Sequence, residues 1–421
     1  MESVLENVML PDKPIMLRWK QTAESPDSTN TSPIPSATSG VRSFTVSLPR
    51  TAEFREKQGS ALREADLHGI ANMMYPLSAN LSFNPIRDRW FEVILRDETW
   101  FFTIIYVAAR QLEAEHGTNQ NSEQVSRLMN HVLVRLKDAV EKAQRGQQPP
   151  DSIIGAISCL NGLSNTATWQ VHSRGLSELV RAKGGILSID PSLRTKVCRS
   201  DIEGAIDTLT APIFPPVSPT NTQLTLVSRS STPTMIASLD TNLATTANDI
   251  ADFTMLFNNM LEYHIPVDPV ELDEHLMIFF HRLLSFTPFP YHHLDTAFKI
   301  ASILFLKSLM RPLSTLAQTS AFLASTLRTS LCQVREAPRS LTLWLGFWGL
   351  LASKGESEER GWFVDKILAD VMVLKGTMCI WEEMRVEMIK IFWVGEIFDG
   401  FSKQVWEEME REMILSRALN A

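Results

Sequence analysis

From residue 84 onward, apolar side chains recur every three or four positions, and no run of β-branched residues repeats every second position. The first period lays one apolar stripe along a helix, whereas a half-buried strand needs a period of two. This asymmetry excludes most sheet-based architectures before any motif is sought.

The pattern is clearest in DSIIGAISCLNGLSNTATWQVHSRGLSELVRAKGGILSI, residues 151–189. Asp151 caps a helix bearing Ile153, Ile154, Ile157, Leu160 and Leu163, and a polar turn at Ser164-Asn165-Thr166 follows. The next helix carries Trp169, His172, Leu176, Leu179 and Val180 in steps of three and four. Arg181 and Lys183 fall in its last turn, favourable at the negative end of the helix dipole, and Gly184 supplies a left-handed C-cap. His172 lies on the apolar stripe with no second ligand or nucleophile at helical spacing, so it is a core histidine and not a catalytic one.

Other helices carry their own start and stop signals. Asn84-Pro85 pairs an N-cap with a proline at the first helical position, and that helix runs through Trp90 and Val93. Asp97 caps the next, with Trp100, Ile104, Ala108 and Leu112 on one face and Gly117 at its end. Ser122 caps a third, striped by Val125, Leu128, Val132 and Leu136 and closed at Gly146. A short helix at 200–209 precedes the kinked text TAPIFPPVSP. Further helices are expected at 248–263, 268–284, 293–310, 313–332, 339–352, 358–374, 379–393 and 401–418.

The expected fold is all-α, a large stack of antiparallel helix pairs without a fixed-period repeat. Residues 1–60, rich in Ser, Thr and Pro, form a disordered arm. Residues 61–421 form one helical domain, with a long loop or linker at about 211–246.

Several function classes drop out. The formal net charge is −8 and Lys and Arg are scattered, which disfavours DNA binding by this surface alone. The four cysteines, Cys159, Cys198, Cys332 and Cys379, are far apart and form no CxxC, so no zinc cluster or disulfide framework is indicated. The longest apolar run, LTLWLGFWGLLA at 341–352, is too short for the ~20 residues a membrane span needs. No phosphate-cradling glycine loop and no nucleophile elbow occurs. Glu271 and His275 stand four apart, with His281, His292, His293 and Asp295 downstream, but no HExxH pairing exists and a surface helix accounts for them. No catalytic residue, cofactor site or metal site is expected. Six tryptophans, Trp344, Trp348, Trp362, Trp381, Trp393 and Trp406, fall on the late helices and indicate a core ahead of a ligand box.

The order of features resembles the regulatory domain of fungal binuclear zinc-cluster (Zn2Cys6) transcription factors, over roughly 81–413. The resemblance is carried by Phe83-Asn84-Pro85, Arg89-Trp90 and Asp97 to Phe101, and by Trp169-xx-His172-xx-Gly175-Leu176 with the pair Gly184-Gly185. It continues in Arg199-Ser200-Asp201, in Asp207 to Phe214, and in Leu343-Trp344, Trp362-Phe363, Trp381 and Phe392-Trp393. Where the family often has RGG this chain has Lys183 before the glycines. The landmark positions Pro85, Trp90, Trp100, Trp169, His172, Gly175, Gly184 and Gly185 are expected to be structural.

The departure is that no six-cysteine DNA-reading module precedes Cys159. The resemblance therefore implies a nuclear, transcription-regulator-like protein that works through protein partners, a DNA-binding factor or the transcription machinery, and admits a small-molecule effector. Direct DNA binding and membrane association are not expected. The alternative is an intracellular helical protein-binding module with no transcriptional role.

Overall fold

The computed structural model describes residues 15–20, 41–46, 75, 77, 80–90, 94, 97–115, 123–161, 166–217, 236, 238–313, 316–355, 357–376 and 379–419. Two six-residue strands, β1 (Ile15–Lys20) and β2 (Val41–Val46), pair antiparallel with Ile15 opposite Val46. The periodicity above does not mark this ladder, and the rest of the expected arm at 1–60 lies outside the described residues.

The body is helical, as expected. A π-turn at Ile86–Trp90 is followed by α1 (Glu98–Glu115), α2 (Glu123–Gln144), α3 (Asp151–Asn161), α4 (Thr166–Lys183) and α5 (Pro191–Thr208). The second half comprises α6 (Thr241–Glu262), α7 (Pro269–Ser285), α8 (His293–Met310), α9 (Leu316–Thr319), α10 (Ala321–Leu331), α11 (Arg339–Ala352), α12 (Glu358–Lys375), α13 (Trp381–Ile389) and α14 (Gly395–Leu419). Among the described residues no helix is long and apolar enough to cross a membrane.

Several boundaries differ from the sequence reading, each for a physical reason. The short helix expected at 200–209 begins at Pro191, because proline fits the first turn, where its missing N–H is not needed. α6 begins at Thr241 and not at 248, with Asp240 accepting from Asn242 N, so the linker ends before 241. The helix expected at 313–332 is broken at Ser320 into α9 and α10. Asp151 is the first residue of α3 and not its cap. Val93, Gly117, Ser122, Leu163 and the turn residues Ser164 and Asn165 lie outside the described residues.

One contiguous core runs from Tyr75 to Met409. Val125, Leu128, Val132 and Leu136 line the inner face of α2, as their spacing requires. In α1 the buried set is wider than one stripe, with Trp100, Phe101, Phe102 and Ile105 all inside, because α1 packs against both α2 and α3. α5 packs on α3, α4 and α7, and so joins the first half of the helical body to the second. A short bridge adds to this join: Ser82 N donates to Val267 O at 2.8 Å and Val267 N to Asn80 O at 2.9 Å.

Candidate functional site

Most of the landmark positions can be assigned a local task. Asn84 is buried and its Oδ1 accepts from Ile86 N at 3.1 Å and Arg87 N at 3.3 Å. Asn84 N in turn donates to Asp88 Oδ2 at 2.7 Å, a reciprocal cap that orders the start of the π-turn around buried Pro85. Trp90 is buried against Tyr75 and under the Lys196 ammonium, 5.3 Å from its ring centroid. Asp97 Oδ1 accepts from Trp100 N at 2.9 Å and so starts α1. The Trp100 indole lies flat on α3, where a Cβ on Gly155 would sit 2.8 Å from its Cζ2.

Trp169 packs on α5 at Gly204, where any Cβ would enter the indole. With the Asn161 amide oriented to satisfy its neighbours, Oδ1 accepts from Trp169 Nε1 at 3.2 Å and from Ser173 Oγ at 3.0 Å. Ser173 is the buried polar residue of this turn, whereas His172 beside it is half-buried. Burial pushes the His172 imidazole below its ordinary value, which keeps it neutral near pH 7. Gly175 has no atom within 4 Å of where a Cβ would stand, so packing does not require it.

The double glycine closes α4 in a Schellman motif. Gly184 N donates to Arg181 O at 3.0 Å and Gly185 N to Val180 O at 2.9 Å. Gly184 has φ +106° and Gly185 has φ 98° with ψ 174°. The second combination is open almost solely to glycine, so Gly185 is the more restricted of the pair. Lys183 does more than face the helix dipole: its Nζ lies 3.2 Å from Asp151 Oδ1 and ties the open end of the α3–α4 hairpin.

The densest polar group of the interior lies where α5, α7 and α8 meet. Arg199, Glu203 and Asp207 stand one helical turn apart on α5, while Lys307 lies in the last turn of α8 and Arg311 is the extended residue that caps its C-terminus. Arg199 Nη1 donates to Asp273 Oδ1 at 2.7 Å and Nη2 donates to the Met310 carbonyl at 3.1 Å. Tyr75 Oη donates to the other Asp273 oxygen at 3.0 Å, and the guanidinium lies 4.7 Å over the tyrosine ring. Arg311 pairs with Glu203, with Nε 3.0 Å from Oε1.

The energetics of this group differ residue by residue. Burial pushes the Asp273 carboxyl above its ordinary value, opposed by Arg199 and the Tyr75 hydroxyl. Burial also works against the Glu203 carboxylate, but Arg311 and Arg199 outweigh it and hold it below the usual range. Burial lowers Lys307, opposed by Asp207 and Glu203. Lys307 Nζ donates to Thr319 O at 2.9 Å. The α7 acids and His275 are thus not on a surface helix, as the sequence suggested: Glu271, Asp273, Glu274 and His275 are all buried. Asp273 is compensated there by a guanidinium partner 74 residues away, which no local spacing encodes. Among the described residues no group of three side chains is placed to hold a metal ion.

Two buried aspartates fasten the described chain on either side of 218–235. Asp201 Oδ2 accepts from Phe214 N at 2.9 Å, and burial pushes that carboxyl up to about 6. Asp295 Oδ1 accepts from Asp240 N at 3.1 Å. Asp201 lies in the Arg-Ser-Asp landmark, whereas nothing in the sequence singled out Asp295 for this contact.

The late tryptophans form a packed aromatic core. Trp344, Trp348 and Trp393 interlock with Phe298, Phe305 and Phe398, with ring centroids 5.2–6.2 Å apart. Trp344 Nε1 donates to Phe392 O at 3.1 Å and Trp393 Nε1 to Asp399 Oδ1 at 2.8 Å. Trp362 is only half-buried. A cleft formed by these helices opens outside the aromatic cluster, between α11, α12 and α14.

The fold and this interior define an all-α protein whose sequence landmarks build packing, caps and a buried charge array. Residues 67–203, about a third of the chain, match the family model described as the fungal specific transcription factor domain. No curated protein and no solved structure matches the chain. The matched segment holds every one of the eight landmark positions, and it ends at Glu203, within the charge array.

Proposed function

We propose that this protein is a transcription regulator of the kind built on the fungal zinc-cluster regulatory domain, acting through protein partners or an effector and not by reading DNA itself. The observation that carries this reading is the family match over 67–203, two of whose landmarks, Trp90 and Trp100, lie in the hydrophobic core. The net charge of −8 supports partner-mediated action, since phosphate neutralisation supplies most non-specific DNA affinity. Cysteine chemistry supports it too: the chain has four cysteines, and Cys159, Cys198 and Cys379 are buried in helical packing. Burial, followed by the nearby Asp201 carboxylate, pushes the Cys198 thiol up to about 12, a poor ligand for zinc.

Affinity capture from nuclear extract, alongside localisation of the tagged chain, tests the reading. Recovery of a sequence-specific DNA-binding factor, with no shift of bare DNA by the purified chain, is the expected result. A protein that stays cytoplasmic under every condition tried, and captures no such factor, would be a helical protein-binding module without a transcriptional role.

A further inference from the structure

The cleft between α11, α12 and α14 has a volume of about 710 Å³. That is the size of sites that enclose a ligand of a few tens of atoms, roughly 300–1,000 Å³. Its floor is apolar, formed by Leu350 and Leu351 of α11, Val364 of α12, and Phe401 and Val405 of α14. These residues come from three helices, so the surface exists only in the folded chain.

One cation lines this apolar floor. Arg360 is half-buried and makes no ion pair with any described residue. Its neighbours behave differently: Arg328 pairs with Glu358 and Glu359, Lys366 and Arg339 with Asp370, and Arg385 with Asp399. A guanidinium offers five donors and no acceptor, in a planar fork that matches an acid group. Asp365 and Glu408 also line the cleft, but both are exposed, where water and salt screen them. Arg360 is the least exposed of the three charged residues that line the cleft, so its charge is the least screened of the three. Next to it, Gly361 has open space where a side chain would stand, which leaves that wall of the cleft clear.

We infer that this cleft binds an amphipathic organic anion, with the acid group on Arg360 and the apolar body on Leu350, Val364 and Phe401. The inference goes beyond the transcriptional reading and does not depend on it, because it concerns binding to the isolated chain.

The test titrates the full chain with anilinonaphthalene sulfonate and with its uncharged counterpart, phenylnaphthylamine, following dye fluorescence. Saturable binding of both dyes is expected, with displacement by decanoate. Arg360→Gln should weaken the sulfonate about tenfold, the effect of losing one charge-assisted contact, and leave the neutral dye unchanged. Gly361→Leu should exclude both dyes without unfolding α12, because leucine is a better helix former and its Cβ meets no atom there. Equal loss of both dyes in Arg360→Gln would overturn the assignment of the acid group. Sulfonate binding unchanged by both substitutions, or no saturable binding to the unaltered chain, would overturn the site itself.

Discussion

Replacing Arg199 with methionine removes the cation from an ion pair buried in the interior. Arg199 is 3% exposed and Asp273 1%, so water cannot replace the lost partner. The substitution deletes the 2.7 Å contact to Asp273 and the 3.1 Å contact to the Met310 carbonyl, while the Tyr75 hydroxyl still donates to the carboxylate. Breaking one side of a buried pair costs about 3–5 kcal/mol, because an uncompensated charge stays inside. Against a total stability of roughly 5–15 kcal/mol this is a large fraction.

The loss should depend on pH with a definite sign. Burial already holds Asp273 above its ordinary value, and Arg199 opposes that, while Glu203 nearby favours the protonated acid. Without Arg199 the folded-state value climbs further, so the folded chain binds a proton that the unfolded chain has released. Stability of the variant then falls as pH rises through that window, by at most ~1.4 kcal/mol per pH unit. Urea unfolding followed by tryptophan fluorescence, at mildly acid and mildly alkaline pH, should show the larger deficit at the alkaline end. The double variant Arg199→Met, Asp273→Leu should recover most of the loss, since an apolar pair can replace a buried ion pair. A single-variant cost below ~1 kcal/mol, flat with pH, would refute the buried array as the join between α5 and α7.

Three further outcomes follow from the geometry. Gly185→Ala, at φ 98° and ψ 174°, should cost about 1–3 kcal/mol, measured as a lowered urea midpoint with unchanged slope. Gly175→Ala should instead stabilise by roughly 0.5–1 kcal/mol, as nothing crowds that position, whereas Gly204→Ala should cost at least ~1–3 kcal/mol by expelling the Trp169 indole; equal effects from the two would contradict the packing at α5. Asp201, pushed up to about 6, takes up a proton on folding between its unfolded value and that point, so its share of stability is present at acid pH and lost as pH rises through about 6. Asp201→Asn should flatten that slope in urea midpoints measured across the window, while a slope unchanged from the parent would show that Asp201 ionises freely.

The sequence alone carried the helical class, because apolar spacing and caps are local properties. Asn84, Asp97 and Gly184 do at their termini what their residue types require, and Val125, Leu128, Val132 and Leu136 face inward as their spacing demands. A mid-helix glycine was also a readable signal, since it costs ~1 kcal/mol without a packing reason. Only the structure shows that reason, at Gly155 and Gly204, which carry Trp100 and Trp169, and not at Gly175. The tertiary structure decided what depends on partners far apart in the chain. It paired buried Asp273 of α7 with Arg199 and fastened Phe214 and Asp240 to Asp201 and Asp295. It also set Arg360, which makes no ion pair with any described residue, beside an apolar floor drawn from three helices. Burial and ion pairing depend on which surfaces meet, and one-dimensional spacing does not record that.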